Sequence, residues 1–172
     1  MILLKSRGFT LLEMIVAVAI VGILATICVA SYYKMAQSIS QARCLSNLKA
    51  LHPAFAGYVT DKGYWPQPPD FDPGAEEQME TWWLTTMDPY TGGSKNVWLC
   101  PVLKAGKAQA PSGYELRMHY VPSLFDAHPS RPYQWPRHPW LSEAANAHGD
   151  GPLILFTDGS VQSFGSVMGG GK

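Results

Sequence analysis

The feature that most constrains this chain is an uncharged run near its N-terminus. Between Met14 and Tyr33 lie 20 residues without a formal charge, and about 20 apolar residues suffice for an α-helix to cross the hydrocarbon core of a bilayer. The run therefore predicts a membrane-spanning helix. Lys5 and Arg7 precede it without an acidic neighbour, and the positive-inside bias places that end in the cytoplasm. We therefore expect the rest of the chain to lie outside the cytoplasm.

A single acidic residue, Glu13, lies just before that run and four residues after Phe9. Inserting a carboxylate near the middle of a bilayer costs roughly 2.5 to 3.5 kcal/mol of free energy on insertion scales. We therefore expect Glu13 to have a cationic partner. Two simpler interpretations leave Glu13 unexplained. One is a secretory signal peptide cut after Ala30, although the apolar core would exceed the usual length of about 7 to 15 residues. The other is a plain signal anchor.

The residues around Glu13 resemble a known processing site. The stretch Lys5-Ser6-Arg7-Gly8-Phe9-Thr10-Leu11-Leu12-Glu13 is similar to the segment at which type IV prepilins and type II secretion pseudopilins are cut. The resemblance implies cleavage after Gly8 by a prepilin peptidase and methylation of the new amine on Phe9. It also implies that Glu13 pairs with the N-terminal ammonium of a neighbouring subunit. Removing one partner of a buried ion pair typically costs about 3 to 5 kcal/mol, so this pair would set the register between subunits.

The same resemblance implies how the chain is organised. Residues 1–8 would be a leader peptide, residues 9–33 a transmembrane and assembly helix, residues 34–58 its continuation, and residues 59–172 an exported head. Expected partners are other pilin or pseudopilin subunits, the prepilin peptidase, and an assembly platform protein with its ATPase. The expected location is the inner membrane of a bacterium, in a single pass with the head outside the cytoplasm, and then a filament. The chain would be a structural subunit, not an enzyme.

Beyond the uncharged run, apolar residues recur three or four positions apart, which predicts that the helix continues. Pro53 is expected to bend or end it near Tyr58. The segment Asp61-Lys62-Gly63-Tyr64-Trp65-Pro66 then resembles a turn of major pseudopilins, and it favours a secretion pseudopilin over a type IV pilus subunit. The recurring apolar residues are Met35, Ile39, Ala42, Leu45, Leu48, Leu51, Phe55 and Tyr58.

Three later segments predict a small antiparallel sheet. Residues Tyr114 to Tyr120 alternate between apolar and polar side chains with a period of two, which is typical of a strand with one buried face. Leu153 to Thr157 predicts a second strand. Asp158-Gly159 predicts a turn into Val161 to Phe164, so that residues 153–164 form a hairpin. The expected fold class is α+β, with a long N-terminal helix packed on a small antiparallel sheet, as in pilins.

Residues 122–147 are rich in Pro, His and Trp and predict a long surface excursion, with a short helix around Leu141 to Asn146. The six tryptophans of the chain either fill a small core or form an exposed patch. A patch would suit an alternative function, a membrane-anchored extracytoplasmic module that binds carbohydrate or a metal. The chain carries 13 basic and 13 acidic residues and no basic run, which argues against nucleic-acid binding. The spacing of four histidines matches no compact zinc motif: His119, His128, His138 and His148.

Two of the three cysteines, Cys44 and Cys100, fall in the predicted exported part, whereas Cys28 lies in the uncharged run. A disulfide between Cys44 and Cys100 would contribute roughly 4 kcal/mol in the chain-entropy model. The alternative is two free buried thiols. The residues around both cysteines also resemble the paired cysteines of a pilin-like group of bacterial proteins, which favours the disulfide.

That group often ends in a histidine, nine further residues and then Asp-Gly, and His148 precedes Asp158-Gly159 at this spacing. One interpretation is an assembly or Ca²⁺ site that uses oxygen atoms of Asp150 and Asp158. The other is a turn with a hydrogen-bonded histidine that ties the last hairpin. Apart from calcium at this place, no cofactor is expected.

Overall fold

A computed structural model of the chain describes residues 10–72, 74–106, 115–124, 130, 132–133 and 137–169. The predicted leader and its cleavage site at Gly8 and Phe9 lie outside the described residues. So do Tyr114, His128 and much of the predicted surface excursion. The chain divides into two compact units, Met1–Ile39 and Ser40–Lys172, and we describe each by itself.

The first unit consists of the N-terminal part of helix α1, which spans Leu11–Lys62. Its large apolar side chains are exposed: Leu12 is 74% accessible, Ile15 60% and Ile23 62%. Within α1 an 18-residue window has a mean hydropathy of 2.7, and α1 is the one helix among the described residues that is long and apolar enough to cross a membrane. This agrees with the helix predicted from the uncharged run.

In the second unit, one face of α1 is buried in the core. The helix runs four residues beyond the predicted end at Tyr58, and Pro53 lies inside it without ending it. A proline in a helix removes one backbone hydrogen bond, but core side chains on both sides of Pro53 pack against the head and offset that loss. Gly63, with φ of 80°, then ends the helix, and its N–H donates to the Val59 carbonyl at 2.8 Å. The buried side chains of α1 are Cys44, Leu48, Leu51, Ala54, Phe55, Tyr58 and Val59.

The predicted turn after α1 returns the chain along the helix. Trp65 is fully buried and stacks on Phe55 with ring centroids 4.9 Å apart. Its indole Nε1–H donates to the Ser123 carbonyl at 2.8 Å. Tyr64 packs edge-on against Tyr58 at 6.2 Å. Both aromatic residues of the turn therefore cover α1, as the sequence predicts.

Helices that the sequence did not predict follow this turn. Helix α2, Glu76–Thr91, buries Glu80, Trp83 and Met87 and ends at Gly92, whose φ is 63°. A 3₁₀ turn spans Lys95–Trp98, and the short helices α3 and α4 span Pro101–Ala105 and Phe164–Gly169. Helix α2 gives a weak signal because threonines, aromatic residues and Pro89 interrupt it, and these are modest or poor helix formers.

The sheet has four antiparallel strands that pair in chain order. They are β1, Tyr120–Pro122; β2, Pro139–Glu143; β3, Leu153–Phe156; and β4, Val161–Ser163. Leu141 pairs with Leu155 across β2 and β3, and Ile154 pairs with Gln162 across β3 and β4. The predicted α+β class and the C-terminal hairpin are confirmed.

The strand predicted for residues 114–120 is largely wrong. Only Tyr120 belongs to β1, and residues 116–119 lie outside the strands. Met118 and Tyr120 are indeed buried on one face, but the N–H groups of Arg117 and Met118 donate to the carboxylate of Glu80 on α2. His119, between them, is also buried, so Met118 to Tyr120 is buried on both sides. The His119 N–H donates to the Trp98 carbonyl at 2.8 Å, and the His119 carbonyl accepts from the Ala144 N–H at 2.9 Å. The alternating pattern therefore indicated extended backbone, and most of its hydrogen bonds go to groups outside the strands.

The short helix predicted around Leu141 to Asn146 is wrong, because Pro139–Glu143 is the inner strand β2. Trp140 and Leu141, which are adjacent, are both fully buried. A strand buried on both faces shows no alternation of apolar and polar residues, and this one lacked a signal for that reason. The region 122–147 is therefore partly core, not wholly a surface excursion.

The tryptophans for which the structure gives burial mostly fill the core. Four are at most 2% exposed, and Trp82 packs against the core from a partly buried position. For these residues the core interpretation is correct, and the exposed patch is not formed. The four are Trp65, Trp83, Trp98 and Trp140.

Candidate functional site: the assembly segment and the head cluster

The first turn of α1 contains a reciprocal pair of hydrogen bonds between Thr10 and Glu13. The Thr10 hydroxyl accepts from the Glu13 N–H, and Glu13 Oε2 accepts from the Thr10 N–H, each at 3.3 Å. This is a capping box, which satisfies N–H groups that the helix itself leaves without acceptors. The negative charge also lies at the positive end of the helix dipole. Glu13 therefore has a local partner within its own chain.

The capping box leaves room for a second partner. The Thr10 hydroxyl also lies within hydrogen-bonding distance of Oε2, so the hydrogen bonds described for the Glu13 side chain all use that one oxygen. A carboxylate has two oxygens and about four acceptor positions. Glu13 can thus cap α1 and still accept from a cation brought by another chain.

A second constellation lies in the head around the two predicted cysteines. Cys44 of α1 and Cys100, just before α3, are joined by a disulfide with Cα atoms 5.0 Å apart. His148 Nε2 lies 3.7 Å from Cys100 Sγ and 3.2 Å from Glu143 Oε1. Ligand-type atoms of these four residues all lie within 4.8 Å of one another. We call Cys44, Cys100, Glu143 and His148 the head cluster.

Burial governs the electrostatics around the head cluster. Burial raises the pKa of the Glu143 carboxyl, while the N–H of Leu153 and the adjacent His148 act in the opposite direction. Burial lowers the pKa of His119, whose Nδ1 accepts from the Cys100 N–H at 3.1 Å. It raises the pKa of Tyr120, whose hydroxyl donates to the Cys44 carbonyl at 3.3 Å. The protein thus surrounds the disulfide with buried polar groups that are hydrogen-bonded.

Comparisons with known proteins match part of the chain. The prokaryotic N-terminal methylation motif matches residues 3–29. The type IV major pilin protein PilA of Myxococcus xanthus (strain DK1622) is 40% identical over 58 residues, which are 34% of this chain and 26% of PilA. The chain therefore carries an N-terminal segment similar to that of prepilins, and part of it is similar to a type IV pilin. It spans about a quarter of the length of that relative, and no solved structure matches it.

The match covers the segment that the sequence analysis singled out. The methylation motif includes Gly8, Phe9 and Glu13, and pilins are structural subunits rather than enzymes. Gly8 and Phe9 lie outside the described residues, so their roles stay predictions. The capping box of Thr10 and Glu13 is the described part of this segment.

In the head, Asp158 and Gly159 close the hairpin between β3 and β4. The Gly159 N–H donates to the Phe156 carbonyl at 2.9 Å, and Gly159 has φ of 78°. Four residues, 157–160, join the two strands, and the left-handed conformation of Gly159 is of the kind that hairpin turns need. Asp158 Oδ1 accepts from the Ser160 N–H and hydroxyl, which lower the pKa of the Asp158 carboxyl.

Asp150 holds the other end of that hairpin. Its carboxylate accepts from the Ser163 hydroxyl, and its carbonyl accepts from the Gly165 N–H at 2.9 Å. The described residues show one group of three or more His, Cys, Asp or Glu ligands, the head cluster, and it contains neither Asp150 nor Asp158. Calcium binding at these aspartates stays a prediction.

The nine residues between His148 and Asp158-Gly159 include strand β3. His148 lies against the disulfide of Cys44, whereas a Cβ added at Gly159 would lie 3.3 Å from the ring of His52. From Cys44 to His52, α1 rises about 12 Å, and the four residues of β3 extend about 13 Å. His148 and Gly159, on either side of β3 in the chain, therefore each lie near a residue of α1, Cys44 and His52 respectively.

Sequence reasoning missed three buried or half-buried polar residues of the head. Glu80 was missed because α2 itself was not predicted, although Glu80, Trp83 and Met87 share a helical face. Glu143 lay in the segment interpreted as surface. His52, whose Nε2 bonds the Thr157 carbonyl at 2.9 Å, gave no signal in the periodic pattern. The Thr-x-x-Glu pattern of the capping box was visible in the sequence and was not used.

Proposed function

We propose that this chain is a structural subunit of a filament, either a type II secretion pseudopilus or a type IV pilus-like fibre. A prepilin peptidase cuts it after Gly8 and methylates Phe9. Before assembly it resides in the inner membrane in a single pass, with the head outside the cytoplasm. The observation that carries this proposal is a capped helix start with Glu13, followed by exposed apolar side chains as far as Ile39.

The exposed apolar surface of α1 supports both stages of this life cycle. Soluble proteins rarely leave contiguous apolar patches larger than a few hundred Å² in water, so this surface needs a cover. Lipid tails supply the cover while the subunit waits in the membrane. In the filament, the corresponding helices of neighbouring subunits replace the lipid.

Glu13 selects how neighbouring helices align. The capping box fixes the carboxylate at the start of α1, the end of the helix at which cleavage would create the ammonium of Phe9. Pairing with the ammonium of a neighbour neutralises both charges in an apolar setting. A register that fails to form this pair leaves two buried charges without partners, which is strongly unfavourable.

Partners other than identical subunits follow from the same proposal. They are related pilins or pseudopilins, the prepilin peptidase, and the assembly platform with its ATPase. Lys5 and Arg7 favour a cytoplasmic N-terminus. The Asp61 to Pro66 segment favours the secretion pseudopilus, whereas the similarity to PilA favours a type IV pilus.

The alternative, a membrane-anchored module that binds carbohydrate, has less support. A sugar platform needs exposed aromatic faces, and four of the tryptophans are instead at most 2% exposed. Trp65 stacks on Phe55 and also contacts Trp140, 5.0 Å away. These aromatic rings contact one another in the core.

The test begins with the mass of the mature N-terminus, measured on protein purified from cells that contain a prepilin peptidase. We expect a chain that starts at Phe9 and carries one methyl group. A chain that starts at Met1 or at Ser31 would contradict the proposal.

A matched pair of variants then separates charge pairing from helix capping. Glu13→Gln keeps a side chain that fits a capping box but removes the negative charge. Thr10→Val keeps the charge and removes the hydroxyl. We expect Glu13→Gln to insert into the membrane and to form few filaments, whereas Thr10→Val still assembles. Normal filaments from Glu13→Gln would refute the pairing role.

A further inference from the structure

The head cluster brings four metal-ligand atoms together from four parts of the fold. Cys44 lies on α1, Cys100 before α3, Glu143 at the end of β2, and His148 between β2 and β3. A disulfide by itself needs neither a carboxylate nor an imidazole beside it. Glu143 and His148 are buried as hydrogen-bonded partners, and their ligand atoms also lie within 4.8 Å of both sulfur atoms. The grouping therefore suggests a use for all four side chains.

Two distances in the head cluster already fit a tetrahedral zinc site. Zn²⁺ binds sulfur at about 2.3 Å and nitrogen or oxygen at about 2.0 to 2.2 Å, so that neighbouring ligands of a tetrahedron lie about 3.3 to 3.8 Å apart. His148 Nε2 is 3.7 Å from Cys100 Sγ, within this range, and 3.2 Å from Glu143 Oε1, just below it. Two edges of the tetrahedron are thus present.

The ligands are also held by contacts that do not depend on the disulfide. Glu143 Oε2 accepts from the Leu153 N–H at 2.9 Å, which leaves Oε1 directed toward His148. The Cys44 carbonyl accepts from the Tyr120 hydroxyl, and the Cys100 N–H donates to His119. Outer hydrogen bonds of this kind orient ligands in metal sites. The backbone around both cysteines therefore keeps its anchors when the S–S bond opens.

We propose that the head cluster is a Zn²⁺ site while Cys44 and Cys100 are thiols, and that it is a disulfide once they are oxidised. A dithiol reductant transfers two electrons and two protons to the S–S bond and becomes a disulfide itself. Zn²⁺ then displaces the two thiol protons to solvent and binds both thiolates, His148 Nε2 and Glu143 Oε1. The protein fills all four positions, so the ion is structural and not catalytic.

The two states exclude each other. Oxidation by a disulfide-containing oxidant, which is reduced to a dithiol, removes both thiolate ligands and releases one Zn²⁺. While it is bound, the ion occupies the thiolates of Cys44 and Cys100, so that neither forms a disulfide with Cys28, the exposed third cysteine. This inference concerns the head alone and does not depend on the proposed filament function.

The test uses the full-length chain with Cys28→Ser in detergent micelles, either treated with dithiothreitol or left oxidised. Both forms are freed of reductant and dialysed against Zn²⁺, and the metal bound per chain is measured. We expect one Zn²⁺ per chain in the dithiol form and none in the disulfide form. Equal binding by the two forms, or no binding by the dithiol form, would overturn the proposal. With Co²⁺ as the probe, absorption bands from thiolate coordination should appear in the dithiol form alone.

Matched histidine variants test whether the site has four ligands. His148→Gln removes a ligand, and His52→Gln changes a histidine of the same head that lies outside the head cluster. We expect His148→Gln to weaken Zn²⁺ binding at least about tenfold, the loss typical of disturbing even an outer-sphere partner, and His52→Gln to bind normally. Unchanged affinity in His148→Gln would refute the site. If the dithiol form unfolds without metal, Zn²⁺ should restore its native tryptophan fluorescence, and failure to do so would also refute the site.

Discussion

Replacing Gly159 by alanine separates two energetic terms at the turn between β3 and β4. Gly159 has φ of 78°, and a left-handed conformation costs an L-residue roughly 1 to 2 kcal/mol. The new Cβ would also lie 3.3 Å from Cε1 and Nδ1 of His52. That ring cannot move freely, because its Nε2 bonds the Thr157 carbonyl at 2.9 Å and it stacks on Trp140 with centroids 5.1 Å apart.

Crowding of this kind typically costs about 1 to 3 kcal/mol. We therefore expect Gly159→Ala to lower the free energy of unfolding by about 2 to 5 kcal/mol in total. Gly63→Ala is the matched control, since Gly63 has φ of 80° and no atom within 4 Å of an added Cβ. It should show the conformational cost alone, about 1 to 2 kcal/mol.

The assay is urea unfolding of the full-length chain in detergent, followed by tryptophan fluorescence. In a His52→Ala background, the cost of Gly159→Ala should fall to that of Gly63→Ala, which gives a coupling of about 1 kcal/mol or more. Calcium or a chelator should not alter this coupling if Gly159 acts through the turn. The reasoning is refuted if Gly159→Ala costs no more than Gly63→Ala, or if removing the His52 ring leaves its cost unchanged.

Three further predictions concern the head and use the same unfolding assay. Glu80→Ala should lower the free energy of unfolding by about 2 to 6 kcal/mol, because the N–H groups of Arg117 and Met118 lose a buried acceptor. Glu80→Gln keeps one acceptor oxygen and should lower it less. A smaller loss in Glu80→Ala than about 2 kcal/mol would contradict this role. Burial lowers the pKa of His119. Below a pH of about 6.5 the unfolded chain therefore binds more protons than the folded chain, and the free energy of unfolding should fall as the pH drops. This group contributes at most about 1.4 kcal/mol per pH unit. His119→Gln should remove that share of the slope, and an identical pH profile would count against it. Pro53→Ala should raise the free energy of unfolding by up to about 3 kcal/mol. The Pro53 side chain is exposed at a position within α1, and alanine restores a backbone N–H donor to the helix. A loss of stability would show that the proline ring is needed there.

The elements that the sequence predicted well carry strong local patterns. The uncharged run and the apolar spacing predicted α1, and the turn at Asp158-Gly159 predicted the hairpin. Strand β2 left no such pattern, because Trp140 and Leu141 are buried on both faces. Helix α2 was hidden by residues with poor helix propensity.

The two functional regions differ in the same way. The role proposed for Glu13 was predicted from local sequence, because Glu13 is a lone charge beside an apolar segment. The capping box was likewise predictable from the spacing of Thr10 and Glu13. The head cluster depends on tertiary contacts between residues up to about a hundred positions apart. Cys44 and Cys100 were paired by compartment and resemblance, but nothing in the sequence placed Glu143 beside them.

The exposed apolar side chains in the N-terminal part of α1 should make an isolated subunit poorly soluble in water. Sixteen large apolar side chains between Leu11 and Ile39 are exposed, and shielding each from water is worth about 1.5 kcal/mol or more. Together they exceed 20 kcal/mol, near the ceiling of non-covalent affinities. If the proposed filament forms, a piece sheared from a cell should therefore persist in water, and single subunits should leave it only where a bilayer contacts the broken end.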